Sequence, residues 1–326
     1  MKISGIAFLI LLFLTFTSLF LGSGHVESSL VLQWLSLQNI DSSQSFILES
    51  LRLPRTLVCL SVGASLGLAG ALLQTLLRNP LAEPYTLGLS GAASLGAILS
   101  ILLKIQPQWL ATPFFATLGC LVATLFVLSA NRQSRARSKT LILSGVMISL
   151  FCGSFVILLL TWLEPFQIQS ALFWMMGQVG TERDSWWALS WGTFILLFLF
   201  AYTQSKHLDL LLLGEDVAQT RGLPLKKFQI QMIVVVALLC ATSVAIAGLI
   251  GFVGLLAPHI ALLTSHNHRH RLFLPLSSIF GATLLLFADM LGRVLIVDRE
   301  LPAGGLIALF GAPFLIYLLH RRGTHV

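Results

Sequence analysis

The sequence predicts an all-α polytopic membrane protein of about ten transmembrane helices, and three observations carry that expectation. Hydrophobic residues make up 56% of the 326-residue chain and charged residues only 10%, against roughly 25% charged in a soluble globular domain. The charges sit in short clusters, separated by apolar stretches close to the ~20 residues that cross a bilayer. The basic clusters, counted along those stretches, all fall on one side of the membrane.

Taken in order, the spans read as residues 5–21, 53–77, 86–103, 113–130, 140–163, 186–204, 228–247, 249–264, 275–295 and 304–320, with the chain 1–326 as one transmembrane domain. The first is read as a retained helix. The apolar run from Ile3 to Leu21 exceeds the ~7–15 residues of a leader's apolar core, and no A-x-A site follows it. Four spans carry glycine tracts: Gly63, Gly67 and Gly70 in the second, Gly88, Gly91 and Gly96 in the third, Gly248, Gly251 and Gly254 opening the eighth, and Gly304, Gly305 and Gly311 in the last. Such tracts let helix backbones approach closely; the other reading is a wide passage lined by small residues, suited to a bulky substrate. In the ninth span Asp289 precedes Arg293 by four residues, on one helix face. The pair is read as a local ion pair that reaches water near the helix end and positions Arg293, rather than as a proton carrier. Cys59, Cys120, Cys152 and Cys240 each lie in an apolar run without C-x-x-C spacing, so neither a disulfide nor a metal site is predicted.

The net charge of +7 comes from three loops: Arg132, Arg135, Arg137 and Lys139; His266–Arg271; and Arg321–Arg322. The positive-inside rule makes these cytoplasmic, and both termini with them. The charge therefore speaks to membrane orientation and not to nucleic acid. The alternate histidines His266, His268 and His270 are read as a solvated basic turn, since Arg269 and Arg271 repel a cation. His259 after Pro258 is read as a hydrogen-bonded residue at a helix break.

Residues 206–227 form a polar island after the sixth span, on the same cytoplasmic side. Its order is that of a capped helix. Gly214 starts it, Glu215 and Asp216 place negative charge on the first turn, and Arg221 places positive charge on the last. Gly222 supplies a left-handed stop and Pro224 begins the next helix. A short capped helix outside the bilayer is a surface for a partner to grip. No G-x-x-x-x-G-K-[ST] loop, H-E-x-x-H or G-x-S-x-G occurs, so the chain is read as non-catalytic and cofactor-free. An ion-coupled secondary transporter is the alternative class; it calls for paired intramembrane carboxylates, which the spans lack.

Several motifs then converge in order: Leu51-Arg52-Leu53-Pro54-Arg55-Thr56, Arg78-Asn79-Pro80-Leu81-Ala82-Glu83-Pro84, Leu87-Gly88-Leu89-Ser90-Gly91, Trp174-Met175-Met176-Gly177, Leu213-Gly214-Glu215 with Arg221-Gly222-Leu223-Pro224, Gly251-Phe252-Val253-Gly254-Leu255 before Pro258-His259, Ala288-Asp289 with Arg293, Glu300-Leu301-Pro302, and Gly311-Ala312-Pro313. Over nearly its whole length the chain resembles the permease family of type II ABC importers, which take up ferric siderophores, haem or cobalamin. The resemblance implies that fold, a homodimer, two cytoplasmic ATPase subunits, and a periplasmic substrate-binding protein, in a bacterial inner membrane. It implies that Arg52, Arg55 and Arg293 receive acidic residues of the binding protein. It also implies that Asn79 and Leu81, with Ser138 and Lys139, close the cytoplasmic gate, and that Gly214, Glu215, Arg221, Gly222 and Pro224 belong to the coupling helices held by the ATPase. A ferric chelate is the expected cargo, although Trp174-Met175-Met176-Gly177 resembles the cobalamin members. Leu262 and Arg269 depart from the family pattern, which usually has arginine and aspartate there.

Overall fold

The structure is a computed structural model and describes residues 2–21, 28–36, 45–130, 137–180, 186–296 and 300–323. Among these residues it is all helix and connecting turns. The helices are α1 (Lys2–Phe20), α2 (Ser28–Leu35), α3 (Leu53–Leu77, entered through a wider turn at Ile47–Arg52), α4 (Leu89–Leu102, preceded by a tight turn at Pro84–Leu87), α5 (Gln108–Ala130), α6 (Arg137–Leu160), α7 (Pro165–Met175), α8 (Trp186–Thr203), α9 (Ser205–Leu212), α10 (Glu215–Thr220), α11 (Leu225–Ala247), α12 (Val253–Ser265), α13 (His270–Val294) and α14 (Ala303–Gly323).

Each expected span falls on a helix. Six described helices are long and apolar enough to cross a membrane, and four apolar helices are shorter. Four of the described helices stand outside the ten spans: α2, α7, α9 and α10. Pro165 opens α7, and Glu164 and Gln167 cap it reciprocally, each accepting a backbone N–H of the other's turn. The basic-loop residues Arg132 and Arg135 lie outside the described residues, as do the side chains of Arg137, Arg321 and Arg322.

Helix α3 is the centre of the bundle, buried over almost its full length. It packs on α13, α11, α12 and α8, while α1 lies against α13. The glycine tract explains the position. A Cβ on Gly63 would come within 2.8 Å of the Ala282 Cα, and one on Gly67 within 3.0 Å of the Ser277 carbonyl carbon and 3.2 Å of the Gly281 Cα. The backbones of α3 and α13 are therefore in direct contact, and this tract serves close packing, where dispersion between tightly apposed helices is the main attraction.

The two helices run antiparallel. One end of the pair carries Arg52, Arg55, Asp289 and Arg293; the other carries Thr75, Arg78 and His270, beside the polar island. Helix α1 starts at the island end and finishes at the arginine end, where Arg52 and Arg293 meet its last carbonyls. Between α11 and α12 the helix is broken: Gly248 turns the chain with φ 68° and Phe252 re-enters with φ 66°.

Candidate functional site

The three arginines expected to receive the binding protein, Arg52, Arg55 and Arg293, come together at one end of the α3–α13 pair. Arg55 donates from Nε and Nη2 to one oxygen of Asp289, at 3.0 and 2.8 Å, and from Nη1 to Glu300 at 2.7 Å. Arg293 reaches the other Asp289 oxygen at 2.6 Å. Two further donors meet the end of α1: Arg52 donates to the Leu19 carbonyl at 2.7 Å, and Arg293 to that of Leu21 at 3.0 Å. The last carbonyls of a helix have no intrahelical partner and carry the negative end of its dipole, so two guanidinium groups complete α1 both as donors and as charges.

This geometry corrects one expectation. Asp289 does pair with Arg293, but it does not reach water: it is 1% exposed and holds Arg55 as well. Arg52, Arg55 and Arg293 are each below 10% exposed, with Arg52 and Arg293 held against the end of α1. The side with access is the Arg55–Glu300 pair. It borders a cavity of about 480 Å³ walled by Trp109, Trp174 and Trp186 together with Gln178.

The island end follows the capping order in the sequence closely. Gly214 stands at φ 121° ahead of α10, and its carbonyl accepts the Ala218 N–H at 3.0 Å. Gly222 is left-handed at φ 84°. The Gly222 and Leu223 amides donate back to the Gln219 and Ala218 carbonyls at 2.9 and 3.0 Å, a complete Schellman stop. Arg221 is the C-cap, Pro224 the N-cap of α11, and Gln229 of α11 donates to Glu215 at 3.3 Å. The island thus holds two helices, α9 and α10, where the charge order marks only α10.

Of the expected gate residues, Asn79 accepts the Leu81 N–H on its side-chain oxygen at 3.0 Å, a local turn that leaves Leu81 exposed. Arg78 next to it stands at φ 48° and closes α3. A Cβ on Gly214 would lie 3.8 Å from the Arg78 guanidinium, so this turn sits beside the island. Lys139 is exposed on the first turn of α6, and the Ser138 side chain lies outside the described residues.

Two further polar residues have roles that sequence reading missed, and a third is hydrogen-bonded as expected. His270, expected in a solvated turn, is fully buried. Its Nδ1 lies 2.6 Å from Asp209 on α9, and its Nε2 lies 2.8 Å from the Thr75 hydroxyl on α3. Glu83, in the turn before α4, accepts the Phe252 N–H at the start of α12. Burial pushes its carboxyl above the ordinary value, and the Phe252 bond opposes that shift. His259 is buried and hydrogen-bonded as expected, with Nδ1 2.8 Å from the Leu255 carbonyl, but it lies inside the continuous helix α12 rather than at a helix break.

Comparison with known proteins identifies the family and the fold. The profile of the FecCD transport family matches residues 10–321. The vitamin B12 import system permease protein BtuC of Klebsiella pneumoniae is 38% identical over 293 residues, covering 89% of this chain and 85% of that protein. The protein of the same name from Vibrio vulnificus is 35% identical over 286 residues, 87% of this chain and 85% of that protein. Among solved structures, an inward-facing conformation of a metal-chelate type ABC transporter superposes with a TM-score of 0.85 at 30% identity, over 98% of both chains. PsaBC from Streptococcus pneumoniae shares the fold at a TM-score of 0.55 and 18% identity, over 84% of this chain and 92% of that one. With helices, motifs and profile coinciding over nearly its full length, the chain belongs to the FecCD transport family and is a multi-pass membrane permease of a type II ABC importer.

Proposed function

We propose that this chain is the non-catalytic translocation subunit of a bacterial inner-membrane importer for a metal chelate, with cobalamin-type corrinoids favoured over ferric siderophores. The observation that carries the cargo is the 35–38% identity, over most of both chains, to permeases named for vitamin B12 import. Tryptophans and an amide around the cavity beside Arg55 suit a large, flat, amide-fringed ligand.

In this reading residues 1–326 form one permease domain that pairs with a second copy of itself. Both termini and the island face the cytoplasm, where two ATPase subunits seat on residues 206–227 through Gly214, Glu215, Arg221, Gly222 and Pro224. A substrate-binding protein docks over Arg52, Arg55 and Arg293, with its acids competing for Arg55 against Glu300. Asn79 and Leu81, with Ser138 and Lys139, form the inner gate. ATP binding draws the ATPases together and rocks the helices around the dimer axis.

The test is uptake into liposomes holding the permease and its ATPase, with the binding protein outside. Labelled cyanocobalamin should accumulate only with internal ATP, survive a protonophore, and resist competition by ferric hydroxamates. Loss of uptake with the proton gradient while ATP remains would indicate an ion-coupled carrier. Competition by the ferric chelate, with no corrinoid uptake, would move the cargo to siderophores.

A further inference from the structure

The polar island meets the central helix pair at a three-residue link in which His270 and Thr75 are buried and Asp209 is partly exposed. Asp209 stands on α9, and Leu208 and Leu211, both fully buried, seat that helix against the bundle. One oxygen of Asp209 accepts the His270 backbone N–H at 2.9 Å and lies 2.6 Å from His270 Nδ1. The other ring nitrogen lies 2.8 Å from the Thr75 hydroxyl, which is itself 2.8 Å from the Ala71 carbonyl. A single imidazole, fully buried, therefore joins α9, α13 and α3. Arg269, at the N-cap of α13, makes no side-chain capping bond there, so the cap of α13 comes from a different helix, through Asp209.

We propose that Asp209–His270–Thr75 is the connector through which movement of the island enters the α3–α13 pair, with His270 as the positioning residue. The proposal rests on the reading of residues 206–227 as the ATPase seat. Two physical arguments support it. His270 and Thr75 are closed to water while the Asp209 side chain is 38% exposed, so separating α9 from the pair would strand the imidazole and a helix N-terminus, with only the carboxylate left to water. The pair beyond the link is stiff, because α3 and α13 touch backbone to backbone at Gly63, Gly67 and Gly281. A displacement imposed at His270 is then delivered whole to Asp289 and Arg55, nineteen residues further along α13 (289 minus 270), or roughly 28 Å at ~1.5 Å per residue. A chain of packed contacts becomes a coupling claim only when both ends are shown to bias one equilibrium, and the experiment addresses that.

His270→Gln and Thr75→Val are made in the full permease, reconstituted in nanodiscs with its ATPase. ATPase retention, basal hydrolysis and stimulation by the binding protein are then read separately. Each variant should retain the ATPase and basal hydrolysis within about twofold, while stimulation falls on the order of fivefold or more, the scale of a typical coupling between sites. The double variant should be no worse than His270→Gln, since the residues act as one unit. Thr75→Val leaves the α13 cap intact and removes only the α3 end, so it decides the matter if His270→Gln does not assemble. Full stimulation in assembled Thr75→Val overturns the proposal. Loss of ATPase retention in both variants also overturns it, by reducing the link to fold support. If the unmodified chain fails to hold the ATPase, the seat assignment fails first, and the connector falls with it.

Discussion

Arg55 on α3 and Asp289 on α13 are joined by two hydrogen bonds to a single carboxylate oxygen, at 3.0 and 2.8 Å, in a part of the bundle almost closed to water. The second oxygen of Asp289 holds Arg293. One buried acid thus balances two guanidinium groups, with Glu300 as the outer partner of Arg55.

Removing that acid leaves two buried cations facing each other. Asp289→Ala should destabilise the permease by about 3–5 kcal/mol, the usual result of breaking a buried ion pair from one side. Replacing all three residues with apolar ones of similar volume (Arg55→Met, Asp289→Leu, Arg293→Met) should recover most of the loss. Melting temperatures in one detergent report both. Equal melting of Asp289→Ala and the unmodified chain would show that the cluster is solvated in the membrane.

Glu300 is the half-buried member of the cluster, and in the docking proposal it competes with the binding protein's acids. Glu300→Gln should therefore tighten binding-protein association by up to roughly fivefold, matching the ~0.2–1 kcal/mol of a partly exposed pair. Surface plasmon resonance at two ionic strengths checks this. Weaker association in Glu300→Gln would remove Arg55 from the docking surface.

At Gly222 the cost of a side chain is confined to the backbone, because nothing lies within 4 Å of its notional Cβ while φ is 84°. Gly222→Ala should cost about 1–2 kcal/mol locally, and the β-branched Gly222→Val more. Both should weaken ATPase retention in that order while leaving the melting of the membrane helices within a few degrees. Undiminished retention in Gly222→Val would place the seat elsewhere.

Glu83 supplies a pH dependence with a definite sign. Its carboxyl is held above the ordinary 4.5, so the folded chain keeps a proton that the unfolded chain has already released. Its contribution to stability is full below 4.5 and is lost as the pH rises through the folded-state value. Glu83→Gln is neutral throughout and can still accept the Phe252 N–H. The melting temperature of the variant, relative to the unmodified chain, should therefore climb as the pH is raised from about 4.5 toward 7. A difference that stays constant with pH would mean that Glu83 titrates normally.

Much of this was legible in the sequence because the determinants are local. Hydropathy located ten spans, and the run from Gly214 to Pro224 spelled out its own capping. Helices α7 and α9 were not marked, being short segments whose mixed polarity resembles a loop. The links that organise the two ends were invisible for a different reason. Asp209 and His270 are 61 positions apart, Thr75 and His270 195, and Arg55 and Asp289 234. No spacing rule reaches that far. His270 in particular sits in a basic, histidine-rich run that reads as solvated, yet only its neighbours face out. The burial of the arginines likewise depends on where α1 ends, which the motif around Arg52 and Arg55 does not encode.

The glycine contact between α3 and α13 has a practical consequence. With carbonyls and Cα atoms in the seam and no long side chains to repack, the two helices have no rotamer route for sliding past one another. Spin labels at Arg78, the exposed residue that closes α3, and at Phe287, exposed on α13, should keep a constant separation through the whole transport cycle. The pair would serve as an internal ruler, against which the travel of every other helix in the permease can be measured.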